Sequence, residues 1–189
     1  MSMNKKKLRY PFYVLTHPFD GFYEIRHRGE GSVPVALLLV FLFSISFSLN
    51  RQYASFVVNY VNPRYVNSFS ELIAIFVLVV LFSVANWSIT CLMEGEGRFK
   101  DIITVTGYSM LPMVLTFIPA TIISQFIASD EEAFYYLLLA VAIGWFLLLM
   151  LIGIMTIHNF SFGKTMITII LTFIAMLIII FLILLMVSL

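Results

Sequence analysis

The sequence predicts an all-α, polytopic integral membrane protein with five transmembrane helices. Of its 189 residues, 61% are hydrophobic and only 11% are charged, whereas an average soluble domain is about 45–50% apolar and about 25% charged. A soluble domain of this size cannot bury so much apolar surface. The charged residues also leave five uncharged runs of at least 20 residues. That is the length a helix needs to cross a bilayer core, and a lipid-exposed backbone must satisfy its own hydrogen bonds.

The spans are expected at about residues 33–50, 72–93, 102–128, 133–157 and 165–188, which together form one membrane domain over residues 33–189. Lys and Arg predict the orientation. With the N-terminus inside, nine of the eleven lie in the inner segments, and such an excess is typical of cytoplasmic loops. We therefore expect a cytoplasmic N-terminus, an external C-terminus and a multi-pass protein of a cell membrane, namely the bacterial cytoplasmic membrane.

The segment before the first span, residues 1–32, is basic and aromatic. Phe19, Phe22, Tyr23 and Arg26 fall at i, i+3, i+4 and i+7, on one face of a helix. This pattern predicts a short helix that lies on the inner membrane surface, with these four side chains as its interfacial anchor. The alternative is a docking site for a cytoplasmic partner.

Span one is nearly featureless, but polar residues and prolines mark spans two and three. Asn86 belongs to a polar stripe on span two and is costly against lipid, so it should face other helices. Pro112 cannot donate to the carbonyl of Tyr108, which predicts a kink. A second proline, Pro119, lies on nearly the same side, and Thr116 shares that face. These five residues are candidates for helix packing or for a neutral path through the membrane.

Spans four and five are more uniformly apolar. In span four, Gly144 and Gly153 would let a neighbouring backbone approach closely. Span five has a polar face in its first half, at Thr165, Thr168 and Thr172. Its second half is apolar all round, so we expect it to face lipid or an apolar partner helix.

The sequence carries few signs of chemistry. No charged residue lies in the middle of a predicted span, which counts against pumps and proton relays. Three His and one Cys give no zinc-ligand pattern, and no nucleotide-binding loop is present. A net charge of +1 argues against nucleic-acid binding. We therefore expect no enzyme activity, no metal and no cofactor.

Two short loops on the inner side hold half of the charged residues outside the N-terminal segment. The first runs from Glu94 to Asp101 and the second from His158 to Lys164. They are either ordinary solvated turns or a polar surface for a partner protein or for anionic lipid headgroups. The candidate partner- or lipid-binding residues are Glu94, Glu96, Arg98, Lys100, Asp101, His158 and Lys164.

Several motifs occur in an order that is typical of a known family. Span three contains Gly107-Tyr108-Ser109-Met110-Leu111-Pro112, the first loop has Glu94, Gly95 and Gly97 before Phe99-Lys100-Asp101, and His158 and Lys164 precede the last span. Over roughly residues 15–189, this set resembles the Yip-domain family of Ypt/Rab-interacting membrane proteins in its bacterial form, whose span-three motif is Gly-Tyr-x-x-Leu-Pro. The resemblance implies a five-span helical fold. It also implies a role in vesicle traffic for eukaryotic relatives, and an accessory role beside transporters for bacterial ones.

Three functions are compatible with these features. The leading hypothesis is a non-enzymatic accessory or scaffold subunit of a larger membrane assembly. An ABC-type importer is one candidate, with its permease subunits as the integral membrane partners. The second is an autonomous channel or facilitator for a small solute. The third is a membrane-shaping or trafficking factor that acts through the N-terminal helix.

Overall fold

The computed structural model describes residues 5–188, which contain eight α-helices, one 3-10 turn at Pro63–Tyr65 and no strand. The helices are α1 (Lys5–Thr16), α2 (Pro18–Arg28), α3 (Val33–Tyr53), α4 (Ser68–Leu92), α5 (Phe99–Ser109), α6 (Leu111–Ser124), α7 (Glu132–His158) and α8 (Phe162–Ser188). Five helical segments are long and apolar enough to cross a membrane: α3, α4, α5 with α6, α7 and α8. The prediction of an all-α, five-span protein is confirmed. The side of the membrane that each terminus faces stays a prediction.

We name the two ends of the helical bundle after His158 and Tyr135. The His158 end is where α4 and α7 finish and where α3, α5 and α8 begin. The Tyr135 end is the opposite one. Because the chain alternates between these ends, every charged loop discussed above lies at the His158 end.

Helix caps explain why α4 and α5 begin before the predicted spans two and three. The side-chain oxygen of Asn67 accepts a hydrogen bond from the N–H of Phe69 at 3.0 Å. The carboxylate of Asp101 accepts one from the N–H of Arg98 at 3.2 Å. Acidic residues in a first turn, here Asp101 and Glu71, are favourable at the positive end of the helix dipole. Counting only uncharged residues therefore leaves out the first turn of each helix.

The third span is divided into α5 and α6 at Met110. Pro112 lies in the first turn of α6 and has no N–H for the carbonyl of Tyr108, so the helical hydrogen bonds are interrupted there. The N–H of Met110 instead donates to the carbonyl of Gly107 at 3.2 Å, a tighter 3-10 pattern. The predicted kink is thus a break between two helices.

The N-terminal segment is a helical hairpin, which differs from the predicted single helix on the membrane surface. Helices α1 and α2 meet at Gly21, where an added Cβ would lie 2.8 Å from the Val14 side chain. Helix α2 packs along α7, and α1 contacts both α5 and α6. Leu15, near the turn, borders one groove together with Pro112 and Trp145, which lie near the midpoints of their spans. The hairpin therefore extends along the spans instead of lying across their ends.

Helix α8 packs mainly along α4 and touches α7 little. Its buried residues include Thr165, Thr168 and Thr172, the face that the sequence marks as polar. From Leu177 to Ser188 the side chains are exposed, apart from the partly buried Ile179. This half of α8 has almost no contact with the rest of the described chain.

Candidate functional site

His158 is the last residue of α7 and is only 1% exposed. The backbone N–H of Gly97 donates to its Nδ1 at 3.1 Å. An added Cβ would lie 2.5 Å from the ring Cε1 at Gly97, and 2.6 Å from Nδ1 at Gly95. Only glycine lets a backbone approach a ring so closely. We call this contact between Gly95, Gly97 and His158 the glycine–histidine clamp.

Phe160 links the clamp to the start of α8. Its ring stacks on the imidazole of His158, with the two centroids 5.4 Å apart. The Nζ of Lys164 lies 4.2 Å from the centroid of Phe160, a cation–π contact. The chain reverses between the two helices at Asn159, whose φ of 55° is left-handed. Sequence reasoning selected His158 and Lys164 but missed the phenylalanine that joins them.

Asp101 joins two arginines from distant parts of the chain. It is 3% exposed, and it accepts a hydrogen bond from Arg98 Nε at 2.8 Å. Arg26 Nη1, on α2, lies 3.7 Å from the same carboxylate. Arg98 Nη2 donates in turn to the backbone carbonyl of Arg26 at 3.2 Å. The hydrogen bond to Asp101 raises the pKa of the Arg98 guanidinium. This group ties α2 to the start of α5.

The clamp and the Asp101 group form one polar layer, in which His158 and Asp101 are buried and Arg98 is exposed. Both Arg26 and Asp101 lie close enough to act electrostatically on the His158 ring. Because Nδ1 of His158 accepts from Gly97, the neutral ring carries its proton on Nε2. His158 Nε2 and Arg26 Nε are buried without a hydrogen-bond partner. We call the whole set the His158 cluster: Arg26, Gly95, Gly97, Arg98, Asp101, His158, Phe160 and Lys164.

The loop that closes the clamp also carries exposed charges. Glu94, Glu96 and Lys100 are all exposed. Among residues 5–188, no ion pair involves any of the three; Glu96 only approaches the side-chain amide of Asn159, at 3.5 Å. Glu94 has a positive φ of 57°, which fixes the turn after α4. The geometry thus presents uncompensated charges on a loop that the buried imidazole holds in place.

The predicted intramembrane residues are mostly occupied in helix packing. Asn86 is fully buried, and its Nδ2 donates to Thr172 Oγ1 on α8 at 3.1 Å. Tyr108 is 1% exposed, and its hydroxyl accepts from the N–H of Ser32 at 3.1 Å. Beside Tyr108, Gly107 lets α5 approach α3 closely, because an added Cβ there would lie 2.6 Å from the backbone carbonyl oxygen of Ala36. The five candidates are not gathered around one path.

The prolines and Thr116 lie at the outside of the bundle or close to it. Pro112 is buried and Thr116 half-buried, and both border the open groove described above. Pro119 is exposed and does not border that groove. Of the five intramembrane candidates, Tyr108 alone has an ionisable side chain.

The four predicted anchor residues are divided by the hairpin. Phe22 is fully buried and lies against Gly153 of α7, so it cannot contact lipid. Arg26 points to Asp101 in the cluster. Phe19 and Tyr23 are 55% and 52% exposed and remain available for contact with lipid. The four side chains therefore do not share one surface of the protein. Phe19 is exposed, whereas Phe22, three residues further along the same helix, is buried.

Two further polar contacts had no visible sequence signal. The hydroxyl of buried Tyr10 donates toward the carboxylate of Glu24 at 3.1 Å, and burial together with Glu24 raises the pKa of Tyr10. At the Tyr135 end, Asn50 Nδ2 lies 2.9 Å from both Thr121 Oγ1 and the Tyr135 hydroxyl. Each contact joins residues far apart in the chain, so spacing could not reveal it.

Among residues 5–188, no three His, Cys, Asp or Glu side chains are grouped to hold a metal ion. The fold and the cluster define a five-span helical membrane protein with a polar layer at one end. The profile of the Yip1 domain family matches residues 12–185, and the chain belongs to that family. The predicted family resemblance is confirmed.

A comparison with curated proteins gives one weak relative. It is an uncharacterized protein of the archaeon Methanocaldococcus jannaschii, 26% identical over 113 residues, which cover 54% of this chain and 79% of that protein. No solved structure gives a significant match. The relative supports the family assignment and carries no activity with it.

Proposed function

We propose that this membrane protein is a non-enzymatic scaffold or accessory subunit that binds another integral membrane protein at its His158 end. The observation that carries the proposal is the clamped loop with its uncompensated charges. A loop that is already ordered loses little conformational entropy on binding. Fixed charges of both signs favour a partner with a complementary pattern. A transporter permease, as in an ABC-type importer, is the first class of partner to test.

The absence of enzyme activity is part of the same proposal. His158 is the residue most suited to proton transfer, but its Nδ1 is engaged by Gly97 and its ring is covered by Phe160. None of the hydrogen bonds among residues 5–188 joins this imidazole to a Ser, Thr or Cys side chain. This imidazole therefore has no hydroxyl or thiol to activate, as covalent catalysis would require.

The test is purification from native membranes in a gentle detergent, followed by native mass determination. We expect a companion protein at fixed stoichiometry with the wild-type chain. Combining Glu94→Gln with Lys100→Gln should reduce the companion at least tenfold, because both charges are exposed and unpaired. The matched control combines Arg64→Gln with Asp130→Asn, two exposed charges at the Tyr135 end, and should leave the companion bound.

Two outcomes would contradict the proposal. A wild-type chain that purifies alone under these conditions has no stable partner subunit. Equal loss of the companion in the control pair would place the contact elsewhere. The variant that combines Glu94→Gln with Lys100→Gln could instead keep the companion and lose only its affinity for vesicles with anionic headgroups. In that case the two charges bind lipid and not protein.

A membrane-shaping or trafficking role is the second candidate, and the hairpin favours it. Phe12 on α1 is 51% exposed, and Phe19 and Tyr23 on α2 are similarly exposed. These rings can contact lipid along the exposed face of the hairpin, while its opposite face packs on the bundle. Replacing all three by Ser should abolish preference for small, curved vesicles if this role is correct. Deleting the segment is a poorer test, because it would also remove Phe22 from the core.

A further inference from the structure

A cavity of about 240 Å³ lies inside the membrane-spanning region, between α4, α5, α7 and α8. Its walls are almost entirely apolar side chains, among them Val79, Met110, Leu147 and Phe173. The lining includes one hydroxyl, on Thr106, and that group donates to the carbonyl of Ile102 on its own helix. The cavity is therefore hydrocarbon in character throughout.

The cavity exists because two neighbouring spans stay apart. Helix α8 packs along α4 but touches α7 little, so a gap opens between α7 and α8. Leu147 and Phe173, one from each of these helices, are 57% and 55% exposed. In contrast, Met110 and Val79 at the inner walls are 6% and 4% exposed. The space runs from the lipid-facing surface into the bundle.

We propose that this cavity is a binding site for one hydrocarbon chain of a membrane lipid, which enters sideways between α7 and α8. Three observations restrict the occupant. The cavity lies along the middle and the His158-side half of the spans, a depth at which the surrounding medium is acyl chain. Its walls offer nothing to a polar ligand. One turn of a transmembrane helix, about 10 Å across and about 5.4 Å high, takes up more volume than the cavity of about 240 Å³ holds.

Size and packing indicate that the site is filled. An engineered apolar cavity of about 150 Å³ stays dry and binds benzene-sized hydrocarbons, and this one is larger. The instability that an empty cavity causes grows with its volume. A single flexible chain can fill the space without disturbing the contacts between α4 and α8. The site is independent of the proposed docking loop, because none of its lining residues belongs to the His158 cluster.

The test uses the full-length protein, purified in detergent and titrated with a phospholipid that carries a photoreactive diazirine midway along one acyl chain. Labelled residues are identified by mass spectrometry. We expect labelling at Met110 to saturate at one probe per chain. Val79→Phe, which fills the cavity, should reduce labelling at Met110 at least tenfold. The matched control Val80→Phe changes the next residue, which is 55% exposed and outside the cavity, and should leave it unchanged.

The readout does not depend on the variants alone. If Leu147 is labelled in the wild-type chain and Met110 is not, lipid covers only the surface and the proposal fails. It also fails if Met110 is labelled equally in Val79→Phe, or if cross-links to a second copy of the chain occupy the gap between α7 and α8. Loss of the partner protein in the co-purification experiment would leave each of these results unchanged.

Discussion

At the scale of single residues, the cluster depends most on glycines that touch an imidazole. Gly97 donates its N–H to His158 and leaves no room for a side chain. His158 is 1% exposed, so the ring cannot move into solvent without losing that bond and its contact with Phe160. The backbone of one loop and one buried side chain thus determine where the exposed charges stand.

Gly97→Ala should therefore destabilise the protein by about 1–3 kcal/mol, a common cost of overpacking. Thermal unfolding in detergent measures this change. Gly144→Ala is the matched control, because nothing lies within 4 Å of a Cβ at that position. Removing a glycine from a helix interior should stabilise by about 0.5–1 kcal/mol. Equal stability of the two variants would show that the loop does not close on His158.

Asp101 permits a second test at this scale. Asp101→Asn removes the carboxylate that Arg26 and Arg98 share, so it should lower the free energy of unfolding. Arg26→Met removes one of those partners. The double variant should lose less stability than the sum of the two single changes, with a coupling of roughly 0.5–3 kcal/mol. Additive losses would mean that Arg26 and Asp101 do not interact in the folded protein.

At the scale of secondary-structure elements, the N-terminal hairpin gains its stability from burial. Val14, Phe22 and Ile25 are at most 2% exposed, and transferring apolar surface out of water or headgroups is favourable. The close approach at Gly21 lets α1 and α2 pack against each other. One substitution in that contact can therefore separate α1 from α2.

Gly21→Leu should detach α1 while leaving the spans folded. The reason is that a Cβ at Gly21 would lie 3.0 Å from the backbone Cα of Val14, which cannot rotate away. Hydrogen exchange in detergent should show lost protection in α1 and unchanged protection in α7. Tyr23→Leu, at a half-exposed position of the same helix, should change neither. Unchanged exchange in Gly21→Leu would contradict the hairpin contact.

The five spans could be predicted from sequence because the medium imposes a strict length and composition on them. The helix ends lie within four residues of the predicted span limits. Helix α1 could not be predicted in this way. Its Val14 and Leu15 form only a short apolar run between Tyr13 and Thr16. Their burial, complete for Val14 and partial for Leu15, depends on contacts with Gly21 and with the bundle. Likewise, the sequence indicates His158 and Asp101 as candidate binding residues. Their contacts with Gly97 and Arg26 could not be predicted, because those contacts join segments that are distant in the chain.

At the scale of the whole molecule, the two ends of the bundle differ in character. The His158 end carries the His158 cluster and the exposed loop charges. The Tyr135 end carries an ion pair between Arg51 and Glu71 at 3.0 Å and many exposed aromatic side chains, among them Phe56, Tyr60 and Tyr65. Exposed aromatic residues of this kind suit a membrane interface. The exposed charges of the His158 end stand on a loop that contacts the buried His158, so we expect a partner that binds charge at that end.

The positive-inside pattern predicts that the His158 end is cytoplasmic. Cys91 is the single cysteine of the chain, so Cys91→Ser gives a background without thiols. In that background, Asp130→Cys should react with a membrane-impermeant maleimide added to intact cells. Lys100→Cys should react only after the cells are permeabilised. The reverse pattern would invert the topology and place the docking loop outside the cell.

The most direct test of a docking surface at the His158 end is cross-linking in the native membrane. A photoreactive amino acid replaces Lys100 in one variant and Asp130 in the other, both at exposed positions. The account predicts one discrete cross-linked integral membrane protein from position 100 and none from position 130. Cross-links from position 130 to the same protein, or none from position 100, would contradict it.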